Sequence, residues 1–231
     1  MITACIIFRD KDADWLRSLL STIPNDIKVI CVKNQQGSQV GLNFVKEINN
    51  RRFYDYTYTE FSFSECRNAA ISQAKTEWIV SIDTDEYVSL LTWNDMKQLV
   101  KQVPDKIGGV FMGITGFEPP YANYIGGWYV CDQVRLFRNK PNIEYEGYCH
   151  EQIIWSLGKA GYSLTSSSLL IQHLGYPDAK DDRLIYKADR NFELLNKDLF
   201  FEKDTQKREY YKKKTIDTSV MINILKGLRN G

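Results

Sequence analysis

The chain predicts an α/β protein: a mainly parallel central sheet flanked by helices, followed by a helical tail. Three observations carry that expectation. Short apolar runs alternate with amphipathic helical patterns from the first residues onward. The opening strand, helix and strand are joined by short connections, which favours a parallel pair with a right-handed crossover. From Asp181 onward only helical periodicity remains.

Ile2–Phe8 reads as the first strand, and Trp15, Leu16, Leu19, Leu20 and Ile23 recur on one face of a helix ended by Pro24 and Asn25. Ile27 to Val32 supplies the second strand. In such sheets ligands gather at the carboxyl ends of the strands, where Phe8, Arg9, Asp10, Lys33 and Asn34 fall. A polar stretch with Gly37, Gly41 and Asn49-Asn50 suits turns, and residues 53 to 61 read as another strand. Ser64 then suits a helix N-cap, with Glu65 in the first turn and Cys66, Ala69, Ala70 and Ala74 as the apolar face. Arg67 lies in that first turn, where backbone N–H groups favour an anion; a surface or packing arginine is the other reading.

Thr92 is expected to cap a helix through Trp93, Met96, Val100 and Val103, and Ile107 to Ile114 returns as a strand. Residues 115 to 131, with two prolines, three glycines, three tyrosines and Trp128, read as an irregular binding loop. Tyr121, Tyr124 and Trp128 in it suit stacking on an acceptor sugar or base, or simple loop packing. Val134 to Phe137 is a short strand carrying Arg135 and Arg138. His150 and His173, both histidines of the chain, each follow an expected strand end. In the tail, Leu184, Ala188, Leu195 and Leu199 mark one helix and Val220 to Leu228 a last one. Between them the basic, aromatic run at 207 to 214 reads as a solvated helix face or as a contact for an anionic membrane surface or nucleic acid.

Composition narrows the function classes. A length of 231 residues with 43% hydrophobic and 26% charged residues suits one large domain, or a domain with an appendage. Thirty basic against 29 acidic residues, a net charge of +1, exclude a whole-protein basic field. The apolar run at the N-terminus is too short for a signal-peptide core or a membrane span. Five cysteines without a Cys-x-x-Cys pair argue against a zinc site or disulfide framework, so a cytoplasmic setting is expected, with peripheral membrane contact left open by 207 to 214.

The stretch from Trp78 to Tyr87 stands out. An apolar strand, Trp78-Ile79-Val80-Ser81-Ile82, stops on Asp83, Asp85 and Glu86. Two hard carboxylates two residues apart suit a Mg²⁺ or Mn²⁺ ion that keeps positions for substrate phosphates; a polar turn with local backbone bonds is the plainer reading.

Taken in order, Phe63-Ser64-Glu65-Cys66-Arg67-Asn68, Trp78 to Glu86, Arg135-Leu136-Phe137-Arg138-Asn139, His150-Glu151 and His173-Leu174-Gly175-Tyr176 resemble glycosyltransferase family 2, in particular a bacterial and phage subgroup that includes a peptide glycosyltransferase. The resemblance covers roughly residues 1 to 195. It implies a GT-A fold: a catalytic domain over 1–178, with a nucleotide-binding half to about 90 and an acceptor half beyond, and a helical extension over 179–231.

It further implies that Asp83 and Asp85, with His173, hold Mn²⁺ or Mg²⁺ against the diphosphate of a nucleotide sugar, expected to be UDP-linked. Phe8, Arg9, Lys33, Arg67, Thr84, Arg135 and Arg138 are then candidate donor contacts. Glu151 takes the place of the catalytic base in an inverting transfer to a hydroxyl or thiol, with His150 beside it. The acceptor classes this admits are a glycan, a peptide, a lipid headgroup or a modified DNA base. Many family members carry an aspartate after the second strand, whereas here the segment Val32 to Ser38 has no acid. Two other classes stay open: a nucleotidyltransferase-like enzyme, which a Gly-rich loop after the first strand would favour, and a sugar- or nucleotide-binding protein without turnover.

Overall fold

A computed structural model describes residues 1–118, 127–175 and 181–229. The strands are β1 (Ile2–Phe8), β2 (Lys28–Gln36), β3 (Gly41–Ile48), β4 (Arg51–Tyr58), β5 (Trp78–Asp83), β6 (Glu86–Tyr87), β7 (Ile107–Glu118), β8 (Gly127–Arg138) and β9 (Ser163–His173). The helices are α1 (Ala13–Thr22), α2 (Phe63–Ile71), α3 (Leu90–Gln102), α4 (Ile154–Lys159), α5 (Asp181–Phe201) and α6 (Thr205–Arg229). The strands form one sheet in the order β3-β4-β2-β1-β5-β8-β7-β9-β6.

Strands β4, β2, β1 and β5 are parallel, as is the β7–β9 pair, while β3, β8 and β6 join antiparallel. Alternation divides each central strand between two cores. Ile2, Ala4 and Ile6 of β1 and Trp78, Val80 and Ile82 of β5 pack with Leu16, Leu19, Trp93 and Met96 under α1 and α3. Cys5, Ile30, Val32 and Ile79 pack with Cys66, Ala70 and Leu157 under α2 and α4. Burial on both faces is why these strands read as continuous apolar runs.

Several sequence expectations are corrected. The turn expected at Asn49-Asn50 is present, with φ 46° and 63°, but most of the polar stretch after Val32 is strand: β2 continues to Gln36, and β3 forms an edge strand whose Phe44, Val45 and Ile48 are exposed. Without a buried face it lacks the alternation that marks a strand. Residues 115 to 131 are not an irregular loop where they are described. β7 and β8 pair as far as Glu118 opposite Gly127. Gly116 belongs to that ladder because the Tyr129 ring covers it; a Cβ there would meet the phenol oxygen at 2.5 Å.

The cap of α2 is Ser62 rather than Ser64: its extended backbone (φ −140°) places Oγ to accept the Glu65 N–H, and Ser64 lies inside the helix with its hydroxyl on Ser62. Likewise Ser89, not Thr92, caps α3. Trp15 is exposed, since α1 turns Leu16 and Leu19 inward instead. The last helix begins at Thr205, well before Val220.

The helical tail is a hairpin laid on the sheet domain. Ile185 and Ala188 of α5 meet Ile222 of α6, and Leu194, Leu195 and Tyr211 pack with Cys149, Phe61, Phe63 and Trp155. Since Ser89 Oγ accepts the Thr92 N–H at 3.0 Å, Ser89→Ala is expected to lower the unfolding free energy by about 1 kcal/mol in urea titration, with an unchanged m-value.

Candidate active site

Because Trp78, Val80 and Ile82 face α1 and α3, Ser81 and Asp83 fall on the α2 face beside Ile79. Arg67, on the first turns of α2, is buried against that face. Its Nη1 donates to Ser81 Oγ at 2.9 Å, its Nη2 to Asp83 Oδ1 at 2.8 Å and its Nε to Glu151 Oε1 at 2.5 Å. The Tyr145 ring lies 5.5 Å from the guanidinium carbon. From β8, Arg135 Nη2 donates to Asp83 Oδ2 at 3.0 Å and to Glu86 Oε1 at 2.6 Å, while Glu86 Oε2 accepts the Asp83 N–H at 2.8 Å. Glu86, Arg135, Asp83, Arg67 and Glu151 thus form a ladder of alternating charge.

The ladder fixes protonation states. Burial alone would raise the Asp83 carboxyl, but the Arg67 and Arg135 guanidiniums outweigh it and hold Asp83 well below the usual carboxylate range. Burial pushes the Glu86 carboxyl up to about 7, opposed by Arg135 and reinforced by the Asp83 charge. Burial works against the charge of Arg67, yet Asp83 and Glu151 keep it firmly protonated. Expected as a phosphate contact, Arg67 therefore has all three guanidinium nitrogens committed to protein groups, and both Asp83 oxygens face arginines.

Asp85 and His173 meet where β6 runs antiparallel to β9, with the Leu174 N–H donating to the Asp85 carbonyl at 2.8 Å. His173 Nε2 lies 3.3 Å from Asp85 Oδ2, and its Nδ1 lies 3.0 Å from the Tyr129 hydroxyl. Gly175 leaves this corner open: a Cβ there would stand 2.4 Å from Asp85 Oδ2 and 2.9 Å from His173 Nε2. Among the described residues no three carboxylate, imidazole or thiol groups converge as a complete metal cage. The Asp85–His173 corner supplies two donors of the right chemistry for Mn²⁺ or Mg²⁺, whereas both Asp83 oxygens are taken by Arg67 and Arg135. Thr84 lines a shallow depression with Trp15, Tyr87 and Leu174.

Glu151 sits in a tight turn after Tyr145. Asn68 of α2 brackets Tyr145, its Oδ1 accepting the N–H at 2.8 Å and its Nδ2 donating to the carbonyl at 2.9 Å. Gly147 (φ 105°) and His150 (φ 52°) then reverse the chain, so His150 lies in a left-handed turn and not at a strand end. Desolvation and the nearby Lys214 push the His150 imidazole toward its neutral form.

At the carboxyl ends of β1 and β4, Arg9, Tyr58 and Phe61 face Tyr186, Arg190 and Lys197 of α5 across a cleft of about 300 Å³. Lys33 pairs with Asp10 at 2.9 Å beside it, and Phe8 packs on the core. Asn34 is buried on β2, its Oδ1 without a hydrogen-bond partner among the described residues. Arg138 does not join the site. It lies at the other end of β5, stacked 4.6 Å over Trp78 and paired with Glu77 at 2.5 Å and Asp105 at 3.2 Å. Trp128 is 82% exposed beside Phe117, and Tyr121 and Tyr124 lie outside the described residues. The run at 207 to 214 is only half a solvated face: Lys207 and Tyr211 are buried, and Lys207 pairs with Glu146. No helix among the described residues is long and apolar enough to cross a membrane.

Sequence reasoning missed Ser81, Tyr129, Tyr145, Gly175 and Asp198. Period-2 alternation from Asp83 would have found Ser81; the others depend on contacts between elements distant in sequence.

No family model matches the chain. A TPR repeat-containing protein of Synechococcus elongatus is 24% identical over 183 residues, covering 76% of this chain and 42% of that protein. The SPbeta prophage-derived glycosyltransferase SunS of Bacillus subtilis is 22% identical over 206 residues, covering 88% of this chain and 46% of SunS. The chain thus spans less than half the length of these curated relatives. Among solved structures, the mannosyltransferase PcManGT from Pyrobaculum calidifontis in complex with GDP-Man and Mn²⁺ superposes with a TM-score of 0.52 at 11% identity, covering 98% of this chain and 73% of that one. S. aureus TarS 1-349 in complex with UDP-GlcNAc gives 0.50 at 10% identity, covering 94% and 72%. The expected GT-A fold and the resemblance to a bacterial and phage glycosyltransferase are borne out.

Arg67→Ala leaves Glu151 and one Asp83 oxygen without their partner, and is expected to cost about 3 kcal/mol or more at pH 7. Asp83 is depressed in the folded state, so its stabilisation is present above the unfolded carboxyl pKa near 4 and is lost as pH falls. The penalty measured by denaturant titration should therefore shrink between pH 7 and pH 3.

Proposed function

We propose that this chain, a GT-A-fold protein resembling SunS, is a glycosyltransferase that moves a sugar from a nucleotide diphosphate sugar, UDP-linked, to an acceptor hydroxyl or thiol with inversion. The observation that carries the reading is the convergence of Asp83, at the end of β5, and the Glu151 carboxylate on one buried guanidinium at the carboxyl edge of the sheet. Ligands of open α/β sheets collect at that edge. Complexes of two proteins of this fold with GDP-Man and Mn²⁺ and with UDP-GlcNAc support a nucleotide-sugar donor.

Each residue then has a task. The cleft between α5 and the ends of β1 and β4 would take the nucleoside, with Tyr58 and Arg9 lining it. Asp85 and His173 would hold a divalent ion, which would neutralise charge growing on the leaving diphosphate. Glu151 uses Oε1 for Arg67 and would take the acceptor proton on its other oxygen. Attack opposite the diphosphate inverts the anomeric centre. Trp128 and Phe117 present an exposed aromatic face on the acceptor side.

A thermal-shift panel of nucleotide sugars with and without Mn²⁺ tests the donor and the ion together, since a ligand at 100 times its Kd adds about 2.7 kcal/mol to apparent stability. A UDP-sugar is expected to raise Tm only with Mn²⁺. Asp85→Ala and Gly175→Ala should lose that ion dependence, the second because its methyl group fills the Asp85–His173 corner. Glu151→Gln should keep the shift and lose transfer by about 10²- to 10⁴-fold. Transfer that survives both chelation and Asp85→Ala would refute the proposal.

A further inference from the structure

The turn that carries Glu151 is held from outside the sheet domain. Asp198 lies within α5, 5% exposed, and its two oxygens accept the backbone N–H groups of consecutive residues, Tyr148 at 2.8 Å and Cys149 at 3.1 Å. A buried carboxylate in a helix that otherwise packs through Leu194 and Leu195 is costly unless its oxygens are satisfied, and these two N–H groups are what satisfies it. Such a pair of adjacent amides beside left-handed residues is an anion-binding concavity; here Gly147 and His150 supply the positive φ values on either side.

The second helix grips the same turn from the other flank. The Tyr210 hydroxyl lies 3.0 Å from Gln152 Nε2 and 3.3 Å from the His150 carbonyl. Tyr211 packs so closely on Gly147 that a Cβ would meet its hydroxyl, and Lys207 pairs with Glu146. The sheet domain itself adds one main-chain bond to these residues, from the Phe63 N–H to the Tyr148 carbonyl at 3.0 Å.

We infer that Asp198 is a positioning residue: by clamping the Tyr148 and Cys149 amides it fixes the 147–151 turn, and so sets where Glu151 stands relative to the acceptor. The inference rests on the role proposed above for Glu151. Burial pushes the Asp198 carboxyl up to about 6 against the pull of the two amides, so near neutral pH it is still the anion that both N–H groups require. The cleft proposed for the nucleoside is lined by α5 side chains from Tyr186 to Lys197, but neither Asp198 nor the 147–151 turn lines it, so loss of the clamp is expected to act on acceptor chemistry more than on donor binding.

The test uses Asp198→Asn in the full chain, which keeps size and shape but turns one acceptor into a donor facing an N–H group. Amide hydrogen exchange at Tyr148 to Glu151 is expected to accelerate at least tenfold, while exchange in the core strand β5 stays as in the unaltered protein. With a UDP-sugar, Mn²⁺ and an accepted substrate, kcat should fall by about a hundredfold, the cost of a small misplacement, with the donor KM unchanged. Asp198→Glu, which keeps both acceptors, should recover part of kcat, and Phe200→Ala, on the exposed side of α5, should leave exchange and rates alone. Unchanged exchange at the turn in Asp198→Asn overturns the clamp. Equal loss in Asp198→Glu, or a donor KM that rises as much as kcat falls, overturns a positioning role. If the unaltered protein shows neither donor binding nor transfer, the proposed function fails, and the exchange measurement still decides whether Asp198 holds the turn.

Discussion

Everything at this site depends on one buried guanidinium. Arg67 reaches from α2 to Ser81 and Asp83 on β5 and to Glu151 on a turn 84 positions further along the chain. A buried charge must be paired, and a paired one is strongly destabilising to break. The planar fork of an arginine, with donors in fixed directions, suits holding three partners at once in a way a lysine does not. The result is that the strand end proposed to face the leaving diphosphate and the carboxylate proposed to take the acceptor proton are set relative to each other by the fold before any substrate arrives. Arg135 extends the same logic to Glu86, which anchors the Asp83 backbone from below.

The two helices of the tail belong to this arrangement and are more than an appendage. α5 forms one wall of the cleft at the carboxyl ends of β1 and β4, and together with α6 it encloses the turn bearing Glu151. The turn has two positive φ values, one main-chain bond to the sheet domain and the Arg67–Glu151 pair; the contacts from Asp198, Tyr210 and Tyr211 add to these in holding one conformation.

The parallel core was legible because β1, β2 and β5 are buried on both faces and so appear as unbroken apolar runs, and the candidate site at the end of β5 was legible because an apolar strand stops abruptly on carboxylates. Composition hid the elements with another reason for their residues. β3 exposes Phe44 and Val45 and shows no alternation, and Gly116 of the β7–β8 ladder serves close packing on Tyr129 where it suggests a loop. Caps were misplaced by two or three residues because Ser62 and Ser64, and Ser89 and Thr92, are neighbouring hydroxyls that bond each other as well as the helix. Arg67 was recognised for its helix position, but its partners lie on β5 and on a distant turn. Arg138 illustrates the reverse: two arginines three residues apart on β8 look alike in sequence, yet three residues along a strand span roughly 10 Å, and only Arg135 reaches the carboxyl edge.

A crystal structure with Mn²⁺ and a UDP-sugar, the ion located by its anomalous scattering, is the most direct test of the division of labour between the strand end and Glu151. The account requires the ion on Asp85 and His173, the diphosphate against it, and the anomeric carbon between the ion and Glu151, with the acceptor side of the sugar open toward that carboxylate. An ion held away from Asp85, or a sugar whose anomeric carbon turns its acceptor face away from Glu151, would contradict it.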